Sequence, residues 1–387
     1  QTGTVAIGGL ALVNLSSGAG NTAVGYDALG DITTGGLNTV LGYEAGSKLG
    51  AGESQNVIIG YEAMADADEG TGSGNEIDNN IAIGYQSLTM ADFGSTGSRV
   101  ARRNIAIGSY ALKSTGTNSN TGTIAIGYEA LTAVTSGVQN TVVGYQGAKG
   151  ITTGAYNVVM GYAALDAADG GESNNIAIGT NSLGSINHDD SDHNVAIGDS
   201  ALLGGTGTVT KNVCVGSNTM GTGVGNNNQT GTVAIGYDSL QDLTSGDGNT
   251  MVGYQSGRLM TTGGANTVMG YQAMATNLTG TYNVAIGKES LLSADGAENN
   301  NVAIGAAAMG SVNNDSSEQN VMIGRNAGLG GTGELDRNVA IGHLAMDGTG
   351  TVAGQQNIFI GDNAGGGTWT TAASNSNVAI GATAMSA

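Results

Sequence analysis

The chain has 387 residues, a formal net charge of −20, 70 glycines, no proline and only 4% aromatic residues. A chain this acidic is repelled by nucleic acid and by anionic membrane surfaces, and so few aromatics exclude a large globular core built on Phe and Trp. The single cysteine, Cys214, excludes an intrachain disulfide framework.

From the N-terminus onward one phrase recurs: Asn or Thr, three mostly apolar residues, then Gly. It opens as Thr4-Val-Ala-Ile-Gly8 and continues through Asn21-Thr-Ala-Val-Gly25, Asn56-Val-Ile-Ile-Gly60 and Asn194-Val-Ala-Ile-Gly198 to Asn377-Val-Ala-Ile-Gly381. There are 21 copies, spaced 17 to 20 residues apart with two steps of 24. Self-similarity at a short fixed period marks a stacked solenoid, in which each unit buries its apolar side only against its neighbours. The expected fold is therefore all-β: a single parallel β-solenoid, or β-roll, of about 21 short coils over residues 1–387. At about 4.8 Å per stacked strand, such a rod would be on the order of 100 Å long.

Within one coil, the residues one and three places before the Gly point to one side of a strand, and the residue between them to the other. The outer two are Val, Ile, Leu, Met or Thr, which suits a strand. The middle one is also apolar in every coil: Ala6, Val40, Ile58, Cys214, Met251 and Phe359 are examples. A strand that is apolar on both sides needs cover on both. One side lines the coil; the other calls for a second copy of the chain, without which the apolar middle residues would stay unexplained, so a homo-oligomer is expected. The small residue three places after the Gly (Ala28, Ala63, Ser182) and the Leu or Met that usually follows it read as a second short strand. The Asn that heads 18 coils either forms a ladder along the stack or closes its own turn, and a mixture of the two is expected. Thr4, Thr123 and Thr232 head the other three coils within a shared Thr-Gly-Thr spelling, which suggests sub-blocks near 1–121, 122–230 and 231–387.

The phrase Asn-x-Val-Ala-Ile-Gly-x-x-Ala resembles the head repeats of YadA-like trimeric autotransporter adhesins. The variant from Asn21 to Ala28, Asn-Thr-Ala-Val-Gly-Tyr-x-Ala, is closer still to repeats in bacteriophage tail fibres, particularly marine ones. The resemblance covers essentially the whole chain. It implies a left-handed parallel β-roll, three chains side by side as a homotrimer, and a structural or adhesive role outside the cell or on a virion. A phage tail-fibre shaft or head that displays or contributes to host attachment is the first expectation, with cell-surface polysaccharide as the receptor class. A bacterial trimeric adhesin head is the alternative, and a polysaccharide-degrading solenoid a more distant one. The chain begins and ends within repeats, which fits a piece of something longer, and no apolar run is long enough to span a bilayer.

Several residues stand apart from the repeat. Tyr follows the Gly in ten coils, from Tyr26 to Tyr271; the rings either bind sugars or pack on one another. Two longer loops are opposite in charge: 66–79 is acidic, and 90–103 carries Phe93, Arg99, Arg102 and Arg103, either a contact surface or a charge pair between neighbours. Trp369 is either a carbohydrate platform or a cap on the core. His188, Asp190, Asp192 and His193 lie in one loop, which reads as a solvated loop or as a site for a divalent cation such as calcium. No Ser, His and Asp constellation and no phosphate-binding glycine loop is found, so no enzyme and no organic cofactor is expected.

Overall fold

The computed structural model describes residues 2–66, 76–89, 100–113, 120–221, 228–294, 296, 298–367, 369 and 374–385. The chain forms two compact units, residues 1–194 and 195–387. Both are parallel β-solenoid, and the described residues contain no helix. Near residue 121 in the first unit and near residue 230 in the second the stack is continuous. Asn120 donates from Nδ2 to Gly137 O, and Thr230 N donates to the Asp247 carboxylate, so the stack runs on through both places.

In the first unit each apolar triplet is a three-residue strand that pairs in register with the triplet of the next coil. Ala6 lies beside Ala23, Ala23 beside Val40, Val40 beside Ile58 and Ile58 beside Ala82. The second unit repeats the arrangement, with Ala196 beside Cys214 and Cys214 beside Ala234. Apart from Ala6 in the first coil, the middle residues point inward and are buried, as Ala23, Ile58, Cys214 and Met251 show. The flanking residues point outward. The interior is thus thin, and a side chain as small as Ala fills it at many levels.

The segment after the Gly departs from expectation. It is a run of turns and not a second strand, because its backbone alternates in handedness. Asp27 and Leu29 have φ of 53° and 51°, and Glu62 and Met64 have 50° and 52°. A strand is extended, so these left-handed values exclude it. The turn still sends its Leu or Met inward: Leu29, Met64, Leu131 and Leu240 are fully buried. Its backbone groups are satisfied between coils, since Asp27 N donates to Gly9 O and Leu29 N to Ala45 O. These intercoil bonds and the burial of a large apolar side chain, about 1.5–3 kcal/mol each, offset the left-handed strain.

The corner glycines make the close stacking possible. Gly144 has φ of 154°, and a Cβ there would collide with the carbonyl oxygen of Gly161 in the next coil. Any side chain at this corner therefore forces the coils apart.

The asparagines do two jobs at once. In the first unit Asn38 donates from both its backbone N (3.0 Å) and Nδ2 (3.1 Å) to the Asn21 Oδ1. The same Nδ2 also donates across its own coil to Glu53 O at 2.9 Å. Asn56 repeats the pattern on Asn38, and Asn80 on Asn56. In the second unit Asn266, Asn283, Asn320 and Asn338 do the same. Each buried amide thus closes its own coil and fixes the next one in register.

The coils headed by Thr123 and Thr232 lack this amide, and a side chain three residues upstream donates into each of them instead. Thr123 N still donates to Asn104 Oδ1, but the carbonyl across the coil, Gly137 O, is met by Asn120 Nδ2 at 3.0 Å. In the second unit Gln229 Nε2 reaches Leu243 O at 2.9 Å in the coil headed by Thr232. Both replacement side chains are buried. The signal was present in the sequence: Asn120 and Gln229 each open an Asn/Gln-Thr-Gly-Thr phrase, and Gln1 stands at the corresponding place before Thr4.

Two predictions follow from this ladder and core. Asn266→Ala removes amide bonds on both sides and strands buried partners, so it should cost roughly 3 kcal/mol; Asn120→Ala should cost about 2 kcal/mol, though the aligned residue in neighbouring coils is often Gly. Urea midpoints by circular dichroism measure both. Cys214 is fully buried and burial raises its thiol pKa well above the ordinary value. A disulfide thiol reagent should leave it unmodified in the native protein and react fully in denaturant.

Candidate functional site

The outward side of the strands is the notable surface of each unit. In the first unit the residues just before the corner glycines, Val24, Leu41, Ile59 and Ile83, stand in register one above another. They are only half-buried or exposed; Leu41 and Met160 keep 50% and 49% of their surface. In the second unit Met269 keeps 52%. Scattered apolar residues on a surface are ordinary, but a contiguous apolar stripe marks an interaction face. The middle position, expected from the sequence to need a second copy as cover, is instead the inner one and is sheltered by its own chain, and the flanking pair forms this outer stripe.

Beside the stripe runs a column of tyrosines. In the first unit Tyr26, Tyr43, Tyr61 and Tyr85 stack with ring centroids 5.2–5.6 Å apart. Where Ser109 follows the corner Gly, Tyr110 one place on fills the gap with edge contacts to Tyr85 and Tyr128. The stack then resumes through Tyr128, Tyr145 and Tyr162. Tyr237, Tyr254 and Tyr271 form a shorter column in the second unit. The ring faces inside a column are occupied by their neighbours, which leaves edges and hydroxyls to solvent. Packing on the neighbour is thus what the geometry gives, and a sugar cannot stack on a face within the column. Tyr110 was not legible as a member because it sits one position out of phase.

A third column lies next in the turn. Glu62 accepts from Gln86 Nε2 at 2.5 Å, and Glu129 accepts from Gln146 Nε2 at 2.8 Å and pairs with Lys149 at 3.1 Å. These bonds to Gln146 and Lys149 hold the Glu129 carboxyl below its usual range. The tyrosines feel the same carboxylates: hydrogen bonding to Glu44 and its charge push the Tyr43 phenol up, and Glu62 does the same to Tyr61.

The residues singled out from sequence fare differently. Phe93 and Arg99 lie outside the described residues. Arg102 pairs with Glu76 and, at 3.8 Å, with Asp78 on the neighbouring coil, so charge pairing between the two loops is what this residue does. Arg103 is exposed, in a left-handed conformation with φ of 56°. Trp369 is not a free platform: its ring meets the buried Phe359 edge-on at 6.0 Å, and its Nε1 donates to Gly365 O. A large Phe at a middle position pulls the indole onto the core.

In the loop read as either solvated or cation-binding, His188, Asp190, Asp192 and His193 do not converge. His188 Nδ1 accepts from Asp190 N, Asp192 Oδ1 accepts from Ser173 N at 2.6 Å, and His193 is exposed with φ of 61°. The neighbour between them, Asp189, turns instead toward Asp169 and Glu172 of the preceding coil. Among the described residues these three are the group whose ligand atoms come within 4.8 Å of one another. Sequence reasoning missed it because the partners lie about one coil apart in the chain.

Compared with protein-family models and with curated proteins, the chain matches none. Among the described residues no helix is long and apolar enough to cross a membrane.

The columns yield a test of their own. Tyr145 stacks on Tyr128 and Tyr162, so Tyr145→Ala should destabilise by about 1–2 kcal/mol beyond lost area. Tyr282, exposed to 66% and outside the column, should tolerate the same change within about 0.5 kcal/mol. Thermal melts of the two variants decide between stacking and mere surface decoration.

Proposed function

We propose that this chain is a segment of a trimeric extracellular fibre, of the kind that forms the shaft or head of a phage tail fibre, and that its role is to carry load and to display or contribute to receptor contact. The single observation that supports this most is the outward apolar stripe, repeated coil after coil in each unit, which no part of the same chain covers among the described residues. Three copies packed stripe to stripe would shelter it. Close repeats then give a stiff element with no need for a large core. The acidic surface favours a soluble particle and a neutral or cationic partner such as a cell-surface polysaccharide, in keeping with a net charge of −20. Receptor contact would fall to loops and to the polar column beside the tyrosines, because the ring faces are taken. The role proposed is binding and support, without catalysis.

The native mass tests this directly. Sedimentation equilibrium of the purified chain should return three times 38.0 kDa. A combined Met160→Glu and Met269→Glu variant, altered only at outward side chains, should dissociate into single chains that keep their β circular-dichroism signal. A wild-type particle of one chain would sink the reading, since the stripe would then be a tolerated solvent surface.

A further inference from the structure

We propose that Asp169, Glu172 and Asp189 form a binding site for a divalent cation of the calcium type, which clamps two successive coils of the first unit. One ligand atom from each lies within 4.8 Å of the others. Asp169 and Glu172 come from the coil headed by Asn157, and Asp189 from the coil headed by Asn175.

Surface acidic clusters are common and by themselves indicate nothing. Glu172 distinguishes this one. Its side chain is fully buried, and its Oε1 has neither a hydrogen-bond partner nor contact with solvent. A carboxylate oxygen taken out of water without a partner is costly. The opposite oxygen, Oε2, accepts from Gly170 N at 3.2 Å, which fixes the orientation of the group. Asp189 is oriented in the same way, since its Oδ1 accepts from Gly171 N at 3.1 Å. Three carboxylates drawn this close repel one another unless a cation sits among them. All the donors are oxygens, which suits a hard cation such as calcium over zinc or copper. Backbone N–H groups hold one oxygen of Glu172 and one of Asp189, as the surrounding hydrogen bonds of a metal site do.

The backbone is also shaped for the convergence. A Cβ at Gly170 would collide with Asp189 Oδ1, so only glycine lets the carboxylate fold in. The second unit repeats this feature independently. Glu298 is fully buried with Oε1 unpartnered, its Oε2 accepts from Gly296 N at 3.3 Å, and a Cβ at Gly296 would collide with Asp315 Oδ1. The spacing from Glu to Asp is the same in both units. The recurrence of buried Glu, Gly and incoming Asp argues for a retained arrangement.

The test uses the full chain, stripped with chelator and titrated with calcium chloride in a calorimeter. Its readout is per chain, so it is independent of whether the particle is a trimer. The wild type should bind calcium saturably, and its melting temperature should rise with the metal. Glu172→Gln and, separately, Asp189→Asn should each lose one equivalent or bind it at least tenfold more weakly. Without calcium, Glu172→Gln should be no less stable than the wild type, because it removes a buried unpaired charge. If Glu172→Gln fails to fold, the exposed Asp189→Asn still decides the matter. No saturable binding, or binding unchanged in both variants, overturns the proposal and leaves only diffuse attraction to an acidic surface.

Discussion

The structure depends on one hydrogen-bonded unit: a buried asparagine that spans its own coil and caps the next. Asn38 shows it fully, with its backbone N and Nδ2 on Asn21 Oδ1 and the same Nδ2 on Glu53 O. A buried amide with any of these bonds missing costs about 1–3 kcal/mol. The register of successive coils is therefore not adjustable, and like residues must stack on like. Corner glycines meet corner glycines, inner apolar residues meet inner apolar residues, and tyrosines meet tyrosines. The exceptions are bridged from the preceding coil: where Thr heads the coil, Asn120 Nδ2 meets Gly137 O and Gln229 Nε2 meets Leu243 O.

Fixed register turns a modest local pattern into surface columns. A single outward Val or Ile would be unremarkable. Stacked without offset, the same residues become an apolar stripe that no described residue of the same chain covers. The fibre proposal rests on that amplification. The tyrosines are amplified too, but in the opposite functional direction: stacking consumes the faces that a sugar would need. What remains outward is the polar column of Glu62, Gln86, Glu129 and Gln146, whose side chains are tied to one another between coils.

The turn after each corner shows how a thin core is made sufficient. Leu29 and Met64 occupy a left-handed backbone that bulky residues ordinarily avoid. They hold it because the turn is bonded to the coils on either side and the side chain fills the interior. The proposed cation site uses the same geometry at the loop end, where a glycine opens room for a carboxylate from the next coil.

The amino-acid sequence alone determined the solenoid, its parallel strands, the in-register repeat and the double-sided apolar character of each strand. Those features follow from periodicity and side-chain alternation, which are local. It also showed that Asn21, Asn56 and their equivalents matter, and left open how, with the ladder and the coil closure both in play. Only the tertiary structure decided that the middle residue faces inward, that the segment after Gly25 is a left-handed turn and not a strand, and that Trp369 lies against Phe359. It alone replaced the loop of His188 and His193 with Asp169, Glu172 and Asp189 as the converging group. Each of these depends on which residues one coil places over the next, and a distance of 17 to 20 residues along the chain carries no sign of a few ångströms across the stack.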